Sequence, residues 1–334
     1  MTLIIRLQSL KRLWIFCLFT AMLFSGGLAG FSQSRPSPPA PPGASAASVI
    51  SVKTELVVLP VSVTDSNGNV VLGLTQQDFR VYEDGRLQNV TLFQQGDTPV
   101  TVGLIVDHSR SMGSKLPEVA AAVSSFAQSS NSQDEMFVVD FNDDVSVELL
   151  NGKAFTNDPE ELAKAVFSVR ARGRTALYDA VAEGLLHLQL GHCDRKALII
   201  VSDGGDNASQ QKFSQVLAMA QQSQALIYSI ALIGDTGEVN PAVLSRLSKA
   251  TGGIAYFPDR TNTVTNISAQ IARDLREQYT LGFPPERANK ARTFRKIEVK
   301  VAAPGHGKIR VRNRSGYFSA EEKSSAAQAA KGAK

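Results

Sequence analysis

Cysteine is almost missing from this chain: Cys17 and Cys193 are the two in 334 residues. Cys17 lies in an N-terminal leader expected to be removed, without a lipid-attachment sequence around it. The mature protein would keep Cys193 alone, which excludes an intramolecular disulfide and a two-cysteine zinc site. An excess of one charge is missing as well. The formal net charge is +4, but Arg6, Lys11 and Arg12 belong to residues 1–30, which hold no acid. The remaining 32 Lys+Arg against 31 Asp+Glu leave no electrostatic footprint for a polyanion, so nucleic acid is not an expected partner. Ordinary Gly and Pro contents and 20% charged residues exclude collagen-like, coiled-coil and wholly disordered chains. No G-x-S-x-G elbow, G-x-G-x-x-G fingerprint or Walker loop occurs, so the common hydrolase and nucleotide-binding signatures are absent.

The N-terminus has the features of a secretory signal: three cations, an apolar run over residues 13–24 broken only by Thr20, then small residues with Gly27 and Ala29 placed for cleavage after Ala29. The run is shorter than the ~20 residues of a membrane span. Export to the periplasm, the cell surface or the medium is therefore expected, with membrane contact only if the leader, extended by residues 25–31, stays uncleaved. Residues 30–48 form a Pro/Ser/Ala linker, and residues 320–334 a low-complexity tail.

Between them the periodicity changes twice. Over residues 98–277, nearly continuous apolar runs at 100–106, 136–139, 197–201 and 225–233 read as strands buried on both faces. They alternate with helical patterns such as Leu116, Val119, Ala120, Val123, Phe126 and Ala127. Asp158-Pro159 and Asn240-Pro241 mark two more helix starts, each with a capping residue before proline, and a last helix is expected over 264–275. The alternation implies an α/β, doubly wound, mostly parallel sheet, with 145–150 as an antiparallel edge strand. The flanks, 49–97 and 278–319, are strand-like: 56–64, 70–72, 79–83 and 87–93, then 278–283, 293–301 and 308–312. Asn67-Gly68 and Asp84-Gly85 supply hairpin turns. Each flank is too short for a core alone, so one β-sandwich built from both, interrupted by the α/β domain, is expected.

The first central strand ends in Asp107-His108-Ser109-Arg110-Ser111, a D-x-S-x-S pattern; Gly173-Arg174-Thr175 opens a helix; and Ser202-Asp203-Gly204 ends the third run. In a doubly wound sheet, ligands gather outside the strand ends where the winding order reverses. Two carboxylates and three hydroxyls make an all-oxygen set suited to Mg²⁺ or Mn²⁺ rather than zinc, and Ca²⁺ is admitted by the same oxygens.

These three segments resemble the metal-ion-dependent adhesion site of von Willebrand factor type A domains, over about residues 100–275. Residues 63–90 (VTDSNGNVVLGLTQQDFRVYEDGRLQNV) and 278–284 (QYTLGFP) are similar to a secreted bacterial, acidobacterial-type subgroup. The resemblance implies Asp107, Ser109, Ser111, Thr175 and Asp203 as metal ligands, directly or through water, and a protein partner whose Glu or Asp fills the open position. It implies an adhesion or scaffold module, not an enzyme, with no catalytic residue. Arg110 and Arg174 stand where the family often has glycine and would border the metal mouth.

Each element also has a plainer reading. Ser109 and Ser111 would serve equally as caps of the helix starting near Ser114. Asp65-Ser66-Asn67-Gly68-Asn69 mimics a calcium loop, but its glycine is misplaced and Gln76 stands where a Glu is needed, so a turn is expected. Asn142-Asp143-Asp144 reads as a solvated turn, Asp206 and Asn207 as neighbours of the site, His108 as a loop residue. Arg310, Arg312 and Arg314 alternate with Ile309 and Val311 as on a strand with one wet face. The alternative from another class is a metal-assisted hydrolase of the cell envelope, for which no residue suggests a general base.

Overall fold

Apolar runs and apolar alternation produce two kinds of sheet. The computed structural model describes residues 56–149, 152–232, 240–259, 263–285 and 293–319; the expected leader, linker and tail, and the ends of the 145–150 and 225–233 runs, lie outside them. The runs give a central six-stranded sheet. Its strands are β5 (Val100–Asp107), β6 (Glu135–Phe141), β7 (Val145–Glu148), β8 (Arg195–Ser202), β9 (Leu226–Ala231) and β10 (Ala255–Tyr256), in the order β10-β9-β8-β5-β6-β7. All pairings are parallel except β6 with β7. Every residue of β5 is buried because helices cover both faces.

On one face α1 (Leu116–Ser129), α2 (Pro159–Ser168) and α6 (Val264–Arg276) pack against Val102, Leu104 and Val106. On the other, α3 (Leu177–His187), α4 (Phe213–Gln222) and α5 (Pro241–Thr251) pack against Ile105, Leu198 and Ile200. Period-2 side-chain direction on β5 is what divides these two cores. β5 packs tightly at Gly103, where a Cβ would stand 2.5 Å from the Phe137 ring and 2.6 Å from Leu198. The two proline-led helices differ at their starts. Asp158 caps α2, accepting bonds from the N–H groups of Glu160 and Glu161, whereas Asn240 makes no side-chain cap at α5.

The flanks interleave. β1 (Val57–Thr64), β2 (Phe79–Glu83), β3 (Arg86–Gln88) and β4 (Leu92–Gln95) precede the central sheet; β11 (Tyr279–Phe283), β12 (Phe294–Val301), β13 (Arg310–Arg312) and β14 (Gly316–Phe318) follow it. They form two sheets, β13-β1-β11-β4 and β14-β12-β2-β3, each mixing strands from both ends of the chain. The alternating burial of β12 shows one face inward. A single core joins Leu59, Val61, Phe79, Val81, Leu281, Phe283, Ile297 and Val299 from the two sheets. The Phe79, Phe93 and Tyr279 rings pack within it at centroid distances of 5.0–5.8 Å. At the β2–β3 turn, Asp84 (φ 47°) and Gly85 (φ 81°) take the left-handed conformations that a two-residue hairpin turn needs.

Three expectations are corrected. The strand expected at 87–93 is two strands in different sheets, because the chain dips through buried Val90 and changes layer between β3 and β4. The strand expected at 70–72 reduces to a single bridge between Val70 and Thr64. The arginines after β12 do not share a wet face: Arg310 is exposed, but Arg312 and Arg314 turn toward the central domain. Arg314 is 7% exposed and donates to the carbonyls of Gln221 and Ser223 at the end of α4 and of Gly316; its burial lowers its pKa to about 10. The Asp65 loop is a turn, as expected, its carboxylate accepting from the N–H groups of Asn67 and Asn69.

The sandwich therefore meets the central domain where the strands begin and the helices end. There Arg195, opening β8, donates to the carbonyl of Leu275 and to Oε1 of Gln278. The opposite end, where β5 and β8 terminate, is left open.

Candidate metal centre

β5 and β8 lie side by side, with Val106 opposite Val201, so Asp107 and Ser202 finish level and Asp203 follows at once. The chain winds from β5 outward to β6 and returns to β8 on the other side. Asp107 and Asp203 thus flank the point where the winding order reverses.

Asp107 is fully buried. Its Oδ1 accepts the Ser109 N–H (2.8 Å) and its Oδ2 accepts the Ser202 hydroxyl (2.6 Å). Burial pushes its carboxyl above the ordinary carboxylate range; the bonds from Ser109 and Ser202 pull it back, and the charge of Asp203 adds to the rise. The Ser111 hydroxyl donates to Asp203 Oδ2 (2.7 Å), and the Ser109 and Ser111 hydroxyls stand 3.2 Å apart. Asp203, 5% exposed, is steadied by the Gly205 N–H on Oδ1 (3.2 Å). Among the described residues, no lysine or arginine pairs with either carboxylate.

The serines do not cap a helix. Ser109 precedes a single 3₁₀ turn at Arg110–Met112 without a side-chain cap bond, and α1 starts after Lys115, also uncapped. Thr175 is buried on the loop before α3 and is placed by Asn207. The Asn207 side chain accepts the Thr175 N–H (3.0 Å), and the Thr175 carbonyl accepts the N–H groups of Asn207 (3.0 Å) and Ala208 (3.1 Å). So four of the five expected ligands share one hydrogen-bonded cluster. Thr175 is brought to the loop four residues beyond Asp203, and its hydroxyl bonds to none of the four.

Several surrounding roles escaped sequence reasoning. Ser202 orients Asp107; its visible signal was only a hydroxyl at a strand end. Asn142, read as solvated, is buried, and its carbonyl accepts the Ala176 N–H (2.8 Å). Asp206 accepts from the Ser209 hydroxyl and the Tyr178 N–H at the start of α3. His108 is fully buried against Asp140, Nδ1 to Oδ1 3.0 Å, with Nε2 2.8 Å from the Val166 carbonyl. Burial alone would lower its pKa, but the bond and charge of Asp140, with the neighbouring carbonyls, leave it raised. Arg174 does not face the mouth as a free cation: its Nε donates to Asp143 Oδ1 (2.8 Å).

Two carboxylates, two aligned hydroxyls and a nearby third form a hard-oxygen donor set, and among the described residues no lysine or arginine is paired with either carboxylate. Among the described residues no three His, Cys, Asp or Glu side chains converge as a metal site, so a nitrogen- or sulfur-rich alternative is not among them.

The model of the von Willebrand factor type A domain matches residues 102–270, and the chain belongs to that family. Among solved structures it is similar to a von Willebrand factor type A protein from Catenulispora acidiphila, at 12% identity over 75% of each chain (TM-score 0.48). It is also similar to the vWF domain of a type V pili tip protein from Porphyromonas gingivalis: 11% identity, 54% of this chain, 97% of that one, TM-score 0.42. A third likeness is proximal thread matrix protein 1 from the mussel byssus, at 13% identity, 58% of this chain, 49% of that one, TM-score 0.46. A search of curated proteins finds no match.

Proposed function

We propose that this protein is an exported, metal-dependent protein-binding module. Asp107, Ser109, Ser111, Thr175 and Asp203 would hold Mg²⁺ or Mn²⁺, with Ca²⁺ as a weaker fit, and the ion would take a Glu or Asp carboxylate from a partner protein. The observation that carries this reading is the hydroxyl pair. Ser109 and Ser111 are free of any capping duty and run from the buried Asp107 to Asp203, with no lysine or arginine paired to either acid among the described residues.

A bound divalent ion would supply a positive charge with room for an outside oxygen. The protein's own residues do the rest. Ser202 and the Ser109 N–H hold the Asp107 carboxylate in one orientation, and Asn207 fixes the Thr175 backbone. Two carboxylates neutralise one divalent ion, leaving it able to attract an acidic ligand. Turnover is not part of the proposal. The nearest imidazole, His108, is fully buried and engaged by Asp140 and the Val166 carbonyl, which removes it as a general base. Export rests on the leader read from residues 1–29.

Calorimetric titration with Mg²⁺ and Mn²⁺ tests the site. Asp107→Ala should abolish binding and Asp203→Ala weaken it strongly, both with unchanged circular dichroism, because neither carboxylate supports a core. Unchanged affinity in Asp107→Ala would rule the site out.

A further inference from the structure

Resting on the metal-site reading above, we propose that the mouth of the site selects a partner segment carrying several acidic residues, read by an arginine rim formed by Arg110, Arg170 and Arg172. Arg110 sits between the two motif serines. The segment at 170–174 lies against the same loop: the Arg172 N–H donates to the His108 carbonyl (2.8 Å), and a Cβ on Gly113 would stand 3.3 Å from that of Ala171. Ala171 packs against the core, while Arg170 and Arg172 on either side of it are exposed.

None of these three arginines forms a side-chain hydrogen bond or ion pair among the described residues. Arg174 differs, being held by Asp143 Oδ1 and lying 3.5 Å from the Asn207 carbonyl. Three like charges on two touching loops repel one another, and an acidic ligand relieves that repulsion. Guanidinium groups also match carboxylates through paired N–H donors, which a lysine rim would not.

The loop that carries Thr175 also borders an acidic surface, since Arg174 beside it is paired with Asp143. Beyond Asp143, a cavity of about 590 Å³ is lined by Asp144, Asp179 and Glu183, with Val145 and Leu186 among its apolar residues. A uniformly charged polyanion crossing the mouth would meet these acids. A protein segment can end its acidic run at the ion and present neutral or basic residues beyond it. The neighbouring acids therefore favour an acidic peptide, whose charge can end at the ion, over an anionic polysaccharide.

The test uses the full chain in 1 mM Mg²⁺ with three fluorescent probes: a ten-residue peptide with four Glu in its first half, one of equal length with a single Glu, and heparin. An exposed charge pair of this type changes affinity roughly 1.4- to 5-fold. The four-Glu peptide should therefore bind about 5- to 20-fold more tightly than the single-Glu peptide at low salt. Near 0.5 M NaCl the preference should shrink to within about twofold, because exposed charges are screened. In the triple variant Arg110→Ala/Arg170→Ala/Arg172→Ala the four-Glu peptide should lose its advantage, mainly through slower association, while calorimetric Mg²⁺ affinity is not weakened. Equal binding of both peptides by the parent would overturn the rim, and so would tighter binding of heparin than of the four-Glu peptide with the same arginine dependence. If the parent binds the four-Glu peptide equally well in Mg²⁺ and in chelator, with the arginine dependence intact, the rim stands and the metal reading fails.

Discussion

Asp274→Ala is expected to destabilise the protein by about 3–4 kcal/mol, because it removes the carboxylate from a buried junction between the two cores. On α6, Asp274 is 7% exposed and its Oδ2 accepts both the Tyr228 hydroxyl of β9 (2.5 Å) and Nη2 of Arg312 on β13 (2.5 Å). The same Arg312 nitrogen donates to the Ser62 hydroxyl on β1 (2.7 Å). Gln278 completes the junction, its Nε2 reaching Ser62 Oγ and Tyr228 Oη, both at 3.1 Å. Tyr228 is fully buried, and burial first, then the charge of Asp274, raises its pKa well above the ordinary phenol value.

Without Asp274, Arg312 would be a buried charge with no partner acid in the junction. Removing one member of a buried pair costs about 3–5 kcal/mol. The Arg312 side chain keeps 21% exposure, and Ser62 Oγ still accepts from the orphaned Nη2, which places the cost at the lower end of that range. For a chain of this size the loss corresponds to a fall in Tm of roughly 4–7 °C. Replacing both members, Asp274→Leu with Arg312→Leu, removes the uncompensated charge and should be less harmful than either single change, with a coupling of about 2–3 kcal/mol. Thermal and urea unfolding would be followed by far-UV circular dichroism and by tyrosine fluorescence, since the one tryptophan, Trp14, lies in the expected leader. Coincident transitions would show that the two cores unfold together. A loss under 1 kcal/mol for Asp274→Ala, or strictly additive single changes, would refute the reasoning.

Acid stability gives a second prediction. The Thr156 hydroxyl (2.7 Å) and the Lys153 ammonium (3.0 Å) hold the Glu161 carboxyl below its usual value of 4.5. A depressed carboxylate stabilises the fold above that value and loses its contribution as pH falls through the lowered pKa. Thr156→Val should therefore flatten the decline of Tm below about pH 4.5, and an unaltered decline would show that Thr156 does not hold Glu161. Deleting residues 278–318 should cause aggregation, since it takes β11 from between β1 and β4 and β12 from beside β2, exposing edges and an apolar face. A soluble, cooperatively unfolding 49–277 fragment would contradict a shared sandwich, whereas 98–277 should fold alone on its own two cores.

Local pattern was enough for much of this protein. The continuous apolar runs of β5, β6, β8 and β9 and the alternation of β12 follow from which side chains water would solvate, a property each segment carries by itself. The same holds for Asp107, Ser109, Ser111 and Asp203, whose clustering follows once those strands end side by side. What needed the tertiary structure was every contact whose partner lies far along the chain. The β3–β4 segment changes sheets because β11 and β12 offer edges in two layers. Arg312 is drawn inward by Ser62, 250 residues away, and by Asp274, although local alternation suggested a wet face. His108 looked like a loop residue until β6 brought Asp140 beside it, and Arg174 looked like part of the mouth until Asp143 met it from 31 residues upstream. Periodicity reports how a segment divides between water and interior, whereas the partner of a charge depends on which distant segments dock there, and that was decided only when the two flanks closed around one core.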